Sequence, residues 1–143
     1  MKPEEELDFF LKDRKDNVKK NLNPALRQKR IVVLDRYYYS TIAYQGAKGL
    51  NQNRIRRLNE AFAPKPDLVF ILDIEAKEGL ARIRNRRKKD KLFERAEYLV
   101  KVRRIFRSFK GRRFVHIQAG QDVREISKMI LEKTQRYLTK LRA

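Results

Sequence analysis

The sequence predicts an α/β fold, a parallel sheet with flanking helices. Three observations carry that prediction. Short apolar runs, Ile31–Leu34 and Asp67–Asp73, are rich in β-branched and long aliphatic residues, the composition of strands buried on both faces. Stretches with helical apolar spacing lie between them. A third short run, Arg113–Ile117, follows another helical stretch, so strand and helix alternate at the spacing of βαβ units.

Taken in order, Pro3 followed by Glu4, Glu5 and Glu6 is a helix start, with the imino acid early and carboxylates at the positive end of the dipole. Leu7, Phe10, Leu11, Arg14 and Val18 then share a face, and the helix is expected to end or kink near Asn23-Pro24. The strand at 31–34 leads into Asp35 and Arg36, and Ser40 is placed to cap a short helix bearing Tyr44 and Gln45. Asn51 caps a helix with Ile55, Leu58 and Phe62, which stops before Pro64 and Pro66. After the strand ending at Asp73, residues 78–89 read as a helix that becomes strongly basic, and Leu92–Lys110 as another. Asp122 caps the last helix, with Val123, Ile126, Ile130, Tyr137, Leu138 and Leu141 facing inward.

Composition bounds the function. The 143 residues imply one domain, and the net charge of +19 favours polyanionic partners: nucleotides, nucleic acid or an acidic surface. With no cysteine there are no disulfides or thiolate metal sites, and His116 alone makes a poor metal ligand set. No apolar run reaches the roughly 20 residues of a membrane span, so a cytoplasmic protein with no membrane partner is expected.

The chemistry concentrates at the end of the first apolar run. Ligands of open α/β sheets bind beyond the carboxyl ends of strands, and Arg36 offers a planar fork of donors suited to a phosphate. An isolated Asp-Arg dipeptide would simply pair with itself. Here, however, Asp35, Arg36, Tyr37, Ser40, Ala43, Tyr44, Gln45 and Gly46 form D-R-Y-x-x-S-x-x-A-Y-Q-G, which resembles the signature of the thymidylate kinases. Phe10-Leu11-Lys12-Asp13-Arg14 resembles that family's base-binding helix, and Pro66-Asp67-Leu68 its P-D-L strand.

The resemblance implies a P-loop nucleoside monophosphate kinase-like fold, with ATP donating its γ-phosphoryl group to dTMP to give dTDP, Mg²⁺ as cofactor, and usually a homodimer. It implies that Phe10 stacks on thymine while Arg14, one turn on, donates to a base carbonyl. Arg36 holds the dTMP phosphate and Asp35 sits near the magnesium. Ser40, Tyr44 and Gln45 shape the thymidine pocket, with Tyr44 disfavouring a 2′-hydroxyl. The lid falls at about residues 82–94, where Arg82, Arg84, Arg86, Arg87, Lys88, Lys89 and Lys91 oppose one acid, Asp90. Mobile cations of this kind stabilise a transferring phosphoryl group electrostatically. Arg82, Arg86 and Lys91 are the expected ATP contacts, Arg86 with Asp35 and Arg36 forming the catalytic set, and Phe93 is expected to pack near the base.

Two family elements are missing from these residues. The Gly-rich phosphate loop G-x-x-x-x-G-K-[ST] and the Arg-Glu-Pro segment do not occur. The chain is therefore expected to match the C-terminal two-thirds of a thymidylate kinase domain, a fragment or a piece completed by another chain, with little kinase activity alone. In the family the loop's strand lies between those matching 31–34 and 68–73, so those two would face a gap. Two further readings exist: a basic nucleic-acid-binding module without catalysis, which no RNA-recognition or helix-turn-helix signature supports, and a kinase for another nucleotide.

Overall fold

The structure, a computed structural model, describes residues 1–82 and 89–142; the side chains of Leu80, Arg82 and residues 89–93 are not among those described. The chain divides into two compact units, Met1–Lys65 and Pro66–Ala143.

The first unit is helical. Helix α1 spans Pro3–Asn17, and its first turn carries Glu4, Glu5 and Glu6 as expected. At Asn23-Pro24, where the sequence places an end or a kink, the helix changes register. Residues Val18–Leu22 form a π turn, in which the Asn23 N–H bonds to the Val18 carbonyl, and α2 (Asn23–Arg27) follows. Proline cannot donate to the preceding turn and crowds the carbonyl four residues back. The wider turn just ahead of Pro24 absorbs both defects without losing the helix. Leu7, Val18 and Leu22 are buried along this run.

Residues Ile31–Leu34 form no strand. They join no ladder among the described residues, and Ile31, Val33 and Leu34 are 69%, 89% and 39% exposed. This corrects the buried strand expected there. β-Branching makes a segment ready to extend, but a strand exists only when a neighbour supplies hydrogen bonds, and no described residues offer one.

Helix α3 (Tyr38–Ala47) begins earlier than expected, with Tyr37 extended at its N-cap. Ser40 is therefore not the cap; it lies inside the first turn, its N–H bonded to the Tyr37 carbonyl at 3.0 Å. The Tyr37 hydroxyl donates to the Pro64 carbonyl (3.0 Å), and Tyr38 and Tyr39 bury their rings, which starts the helix ahead of the serine. Helix α4 (Gln52–Glu60) has the expected cap: Asn51 Oδ1 accepts from the Arg54 N–H at 2.9 Å. α3 packs on both α1 and α4. Ile42 and Ile55, each at most 1% exposed, fill the contact, and burying such a side chain stabilises by about 1.5–3 kcal/mol.

The second unit holds the sheet. Strands β1 (Val69–Asp73) and β2 (Phe114–Gln118) pair in parallel, Val69 opposite Phe114 and Asp73 opposite Gln118. Between them run α5 (Ala76–Arg82) and α6 (Lys89–Ser108), the crossover that parallel strands require. Val102, Ile105 and Phe109 are buried, as are Ile71 and Ile117 on the strands, and the Phe109 and Phe114 rings stack at 5.8 Å. The Arg103 guanidinium of α6 donates to both carboxylate oxygens of Asp73, at 2.7 and 3.0 Å. The fork holds the Asp73 carboxyl below its ordinary pKa. His116 is structural, its Nε2 2.7 Å from the Phe109 carbonyl.

Helix α7 (Val123–Arg142) is capped by Asp122, whose Oδ1 accepts from the Arg124 N–H at 2.7 Å. Of its expected inward residues, Ile126, Ile130, Tyr137 and Leu138 are partly covered, but Val123 (75% exposed) and Leu141 (66%) are not. A 20-residue helix is about 30 Å long and a five-residue strand about 17 Å, so the helix ends overhang the sheet.

Candidate nucleotide site

The candidate site lies within the first unit, where α1, the segment ending at Tyr37, α3 and α4 converge. Phe10 is 37% exposed rather than buried, and its ring meets Phe9 in an edge-to-face contact at 6.5 Å. One turn on, Arg14 is drawn inward. Its guanidinium donates to Asn59 Oδ1 at 2.7 Å and to Thr41 Oγ1 at 3.1 Å. Its Cζ lies 5.7 Å from the centre of the Tyr37 ring. Burial lowers the Arg14 pKa from its ordinary value, offset by nearby Tyr37, Asp13 and Tyr38. Arginine nevertheless stays charged. Among the described residues it has no ion-pair partner. A half-buried cation held only by neutral groups is poised for a ligand that brings electron-rich oxygen.

Asp35 and Arg36 do not pair with each other. Asp35 is exposed and has no hydrogen-bond or ion-pair partner among the described residues, and Arg36 stacks its guanidinium over the Tyr44 ring, 5.5 Å from the centroid. Arg36 has φ +69°, the left-handed region that a non-glycine residue occupies at a cost of order 1–3 kcal/mol. Such strain is typical of backbone set for ligand contact. Gln45 is 1% exposed, and its Oε1 is buried with no partner. An orphan acceptor of this kind costs about 1–3 kcal/mol and marks a place where a donor belongs. Lys48 first, then Gln45, hydrogen-bond the Glu6 carboxylate and hold its pKa below the ordinary value.

Behind the site the three consecutive tyrosines form a row of tilted rings, with centroids 4.8 Å (Tyr37–Tyr38) and 4.5 Å (Tyr38–Tyr39) apart and planes inclined by 50° and 34°. The Tyr38 hydroxyl lies 3.2 Å from that of Tyr39 and 3.1 Å from Glu60 Oε1. Sequence reasoning missed Thr41 and Asn59 as partners of Arg14. The only available signal was their polarity on otherwise apolar helix faces.

Phe10, Arg14, Asp35, Arg36, Ser40, Tyr44 and Gln45 all lie in the first unit, on α1, the segment ending at Tyr37 and α3; side-chain contacts among these elements join Arg14 to Thr41 and Tyr37, and Arg36 to Tyr44. Arg86 lies outside the described residues, as do the side chains of Arg82, Lys91 and Phe93. No group of three or more His, Cys, Asp or Glu able to hold a metal ion occurs among the described residues. Mg²⁺, however, commonly uses one or two carboxylates and the substrate's own phosphates, and a free, exposed Asp35 fits that role.

A parallel strand–helix–strand unit with these helices defines a nucleoside monophosphate kinase-like α/β fold. The thymidylate kinase family model matches residues 1–130. A protein named "probable thymidylate kinase" from Archaeoglobus fulgidus is 41% identical over 138 residues, covering 96% of this chain and 70% of its own length. A thymidylate kinase from Brachyspira hyodysenteriae is 43% identical over 129 residues, with 90% and 64% covered. The crystal structure of thymidylate kinase from Ehrlichia chaffeensis superimposes with a TM-score of 0.73 at 27% identity, covering 95% of this chain and 67% of that one. The chain thus spans about two thirds of the length of these relatives, and it belongs to the thymidylate kinase family, a family of phosphotransferases. No helix among the described residues is long and apolar enough to cross a membrane.

Proposed function

We propose that this chain carries the nucleoside monophosphate-binding part of a thymidylate kinase, the part that recognises dTMP for phosphorylation by ATP to dTDP. The observation that carries the reading is that Asp35 and Arg36 do not pair with each other, while Arg14, against the adjacent Tyr37 ring, is held among the described residues by neutral hydrogen-bond partners alone. In this reading the Phe10 ring stacks on the base and Arg14 donates to a base carbonyl. Arg36 takes the 5′-phosphate in its fork, with its plane set by Tyr44. Ser40, Tyr44 and Gln45 line the sugar and base. Asp35 would sit near a Mg²⁺ ion bound with the nucleotides, which would supply charge neutralisation at the phosphates. Arg82, Arg86 and Lys91 reach the ATP phosphates from the lid.

The chemistry asked of these residues is positioning and charge neutralisation. The phosphate oxygen of dTMP attacks the γ-phosphorus of ATP, the bond to the β-phosphate oxygen breaks, and ADP leaves. Isothermal titration of the 143-residue chain tests the proposal. Saturable dTMP binding that weakens at least tenfold in Arg36→Ala supports it. Binding only to DNA, lost steeply with salt and indifferent to Arg36, would replace it with a basic nucleic-acid module.

A further inference from the structure

We infer that Asn59 is a positioning residue for nucleotide-base selectivity: its amide orients Arg14 while leaving the guanidinium's charge intact. This inference rests on the dTMP reading of the site. Asn59 is fully buried on α4. Its Nδ2 donates to the Ile55 carbonyl at 2.8 Å, which leaves Oδ1 as the group facing Arg14 at 2.7 Å. The opposite orientation of the amide would set N–H against N–H on one side and oxygen against oxygen on the other, so the network admits one orientation. The Asn59 backbone carbonyl also accepts from the N–H groups of Phe62 and Ala63, at 3.2 and 2.9 Å, which anchors the residue to the helix end.

The residue type matters as much as the geometry. A carboxylate here would form an ion pair, cancel the cation and draw the fork away from Thr41. An aliphatic side chain would leave a desolvated N–H without an acceptor. The amide does neither. Asn59 and Thr41 take two of the five guanidinium N–H groups, fix the plane of the fork, and leave the others for a ligand. A site of that kind favours a base presenting a carbonyl over one presenting an amino group at the same position, since the latter sets donor against donor.

The test is titration of dTMP and dCMP into the wild-type chain, Asn59→Leu and the near-isosteric Asn59→Asp, with thermal melting of each. The wild type is expected to prefer dTMP by roughly tenfold or more, and both variants to compress that ratio below about threefold. Where Asn59→Leu fails to fold, Asn59→Asp carries the comparison. A wild-type ratio retained by Asn59→Asp would overturn the inference, as would equal losses for both nucleotides in step with melting temperature, the signature of a purely structural role. Failure of the wild type to bind dTMP at all would overturn the dTMP reading and this inference together, whereas binding with an unchanged ratio overturns the inference alone.

Discussion

At the scale of single residues, the site is a set of polar groups left incompletely satisfied by their own protein. Arg14 has neutral partners only, Asp35 has none, Gln45 Oε1 is buried without a donor, and Arg36 occupies a costly backbone conformation. The motif residues were legible in the sequence because D-R-Y-x-x-S-x-x-A-Y-Q-G is long and specific. Asn59 and Thr41 were not. An Asn near a helix end and a Thr among apolar neighbours give no periodic signal, and their role emerges only when α1 lies against them. The stack of Arg36 on Tyr44 makes a sugar-level prediction. If the ring also closes the space beside the ribose, Tyr44→Ala should lower the preference for dTMP over its ribose analogue by about fivefold or more, as measured by competitive titration. An unchanged preference would remove Tyr44 from that role.

At the scale of elements, what the sequence disclosed depended on whether the signal was local. The Asn51 and Asp122 caps, the strands at 69–73 and 114–118, and their parallel pairing follow from capping chemistry and from short apolar runs separated by helical stretches. The run at 31–34 has the same composition as β1 yet no ladder, because pairing is a property of two segments and composition describes one. The helix through Pro24 persisted because a π turn took up the missing bond, a rearrangement no residue type announces. These contrasts predict opposite mutational costs. Ile55→Ala, at a fully buried position between α3 and α4, should destabilise by about 2–5 kcal/mol in chemical denaturation. Val33→Lys, at a position 89% exposed, should change stability by no more than about 0.5 kcal/mol. It should also reduce self-association in concentrated solution, because an open apolar β-prone segment is a template for strand pairing.

At the scale of the whole molecule, 37 Lys and Arg against 18 Asp and Glu make the chain a strong polycation, which suits polyphosphate ligands and opposes close self-approach at low salt. Stability should also fall on the alkaline side. Burial pushes the Tyr37 hydroxyl up to about 12, and burial with the neighbouring Tyr39 and Glu60 pushes Tyr38 upward. A raised pKa means that folding favours the neutral phenol. The contribution is complete below the ordinary value of 10 and is lost as pH rises toward 12. Circular dichroism and tyrosinate absorbance followed together should show a late ionising class that appears as helix is lost; ionisation of every phenol near pH 10 with the helices intact would contradict it. The chain has six tyrosines and no tryptophan, and three of those rings stand in one row of tilted neighbours with Arg14 over the first. Its intrinsic fluorescence is therefore dominated by phenols, four of the six at the candidate site, so a nucleobase settling against Arg14 would announce itself by quenching without any attached label.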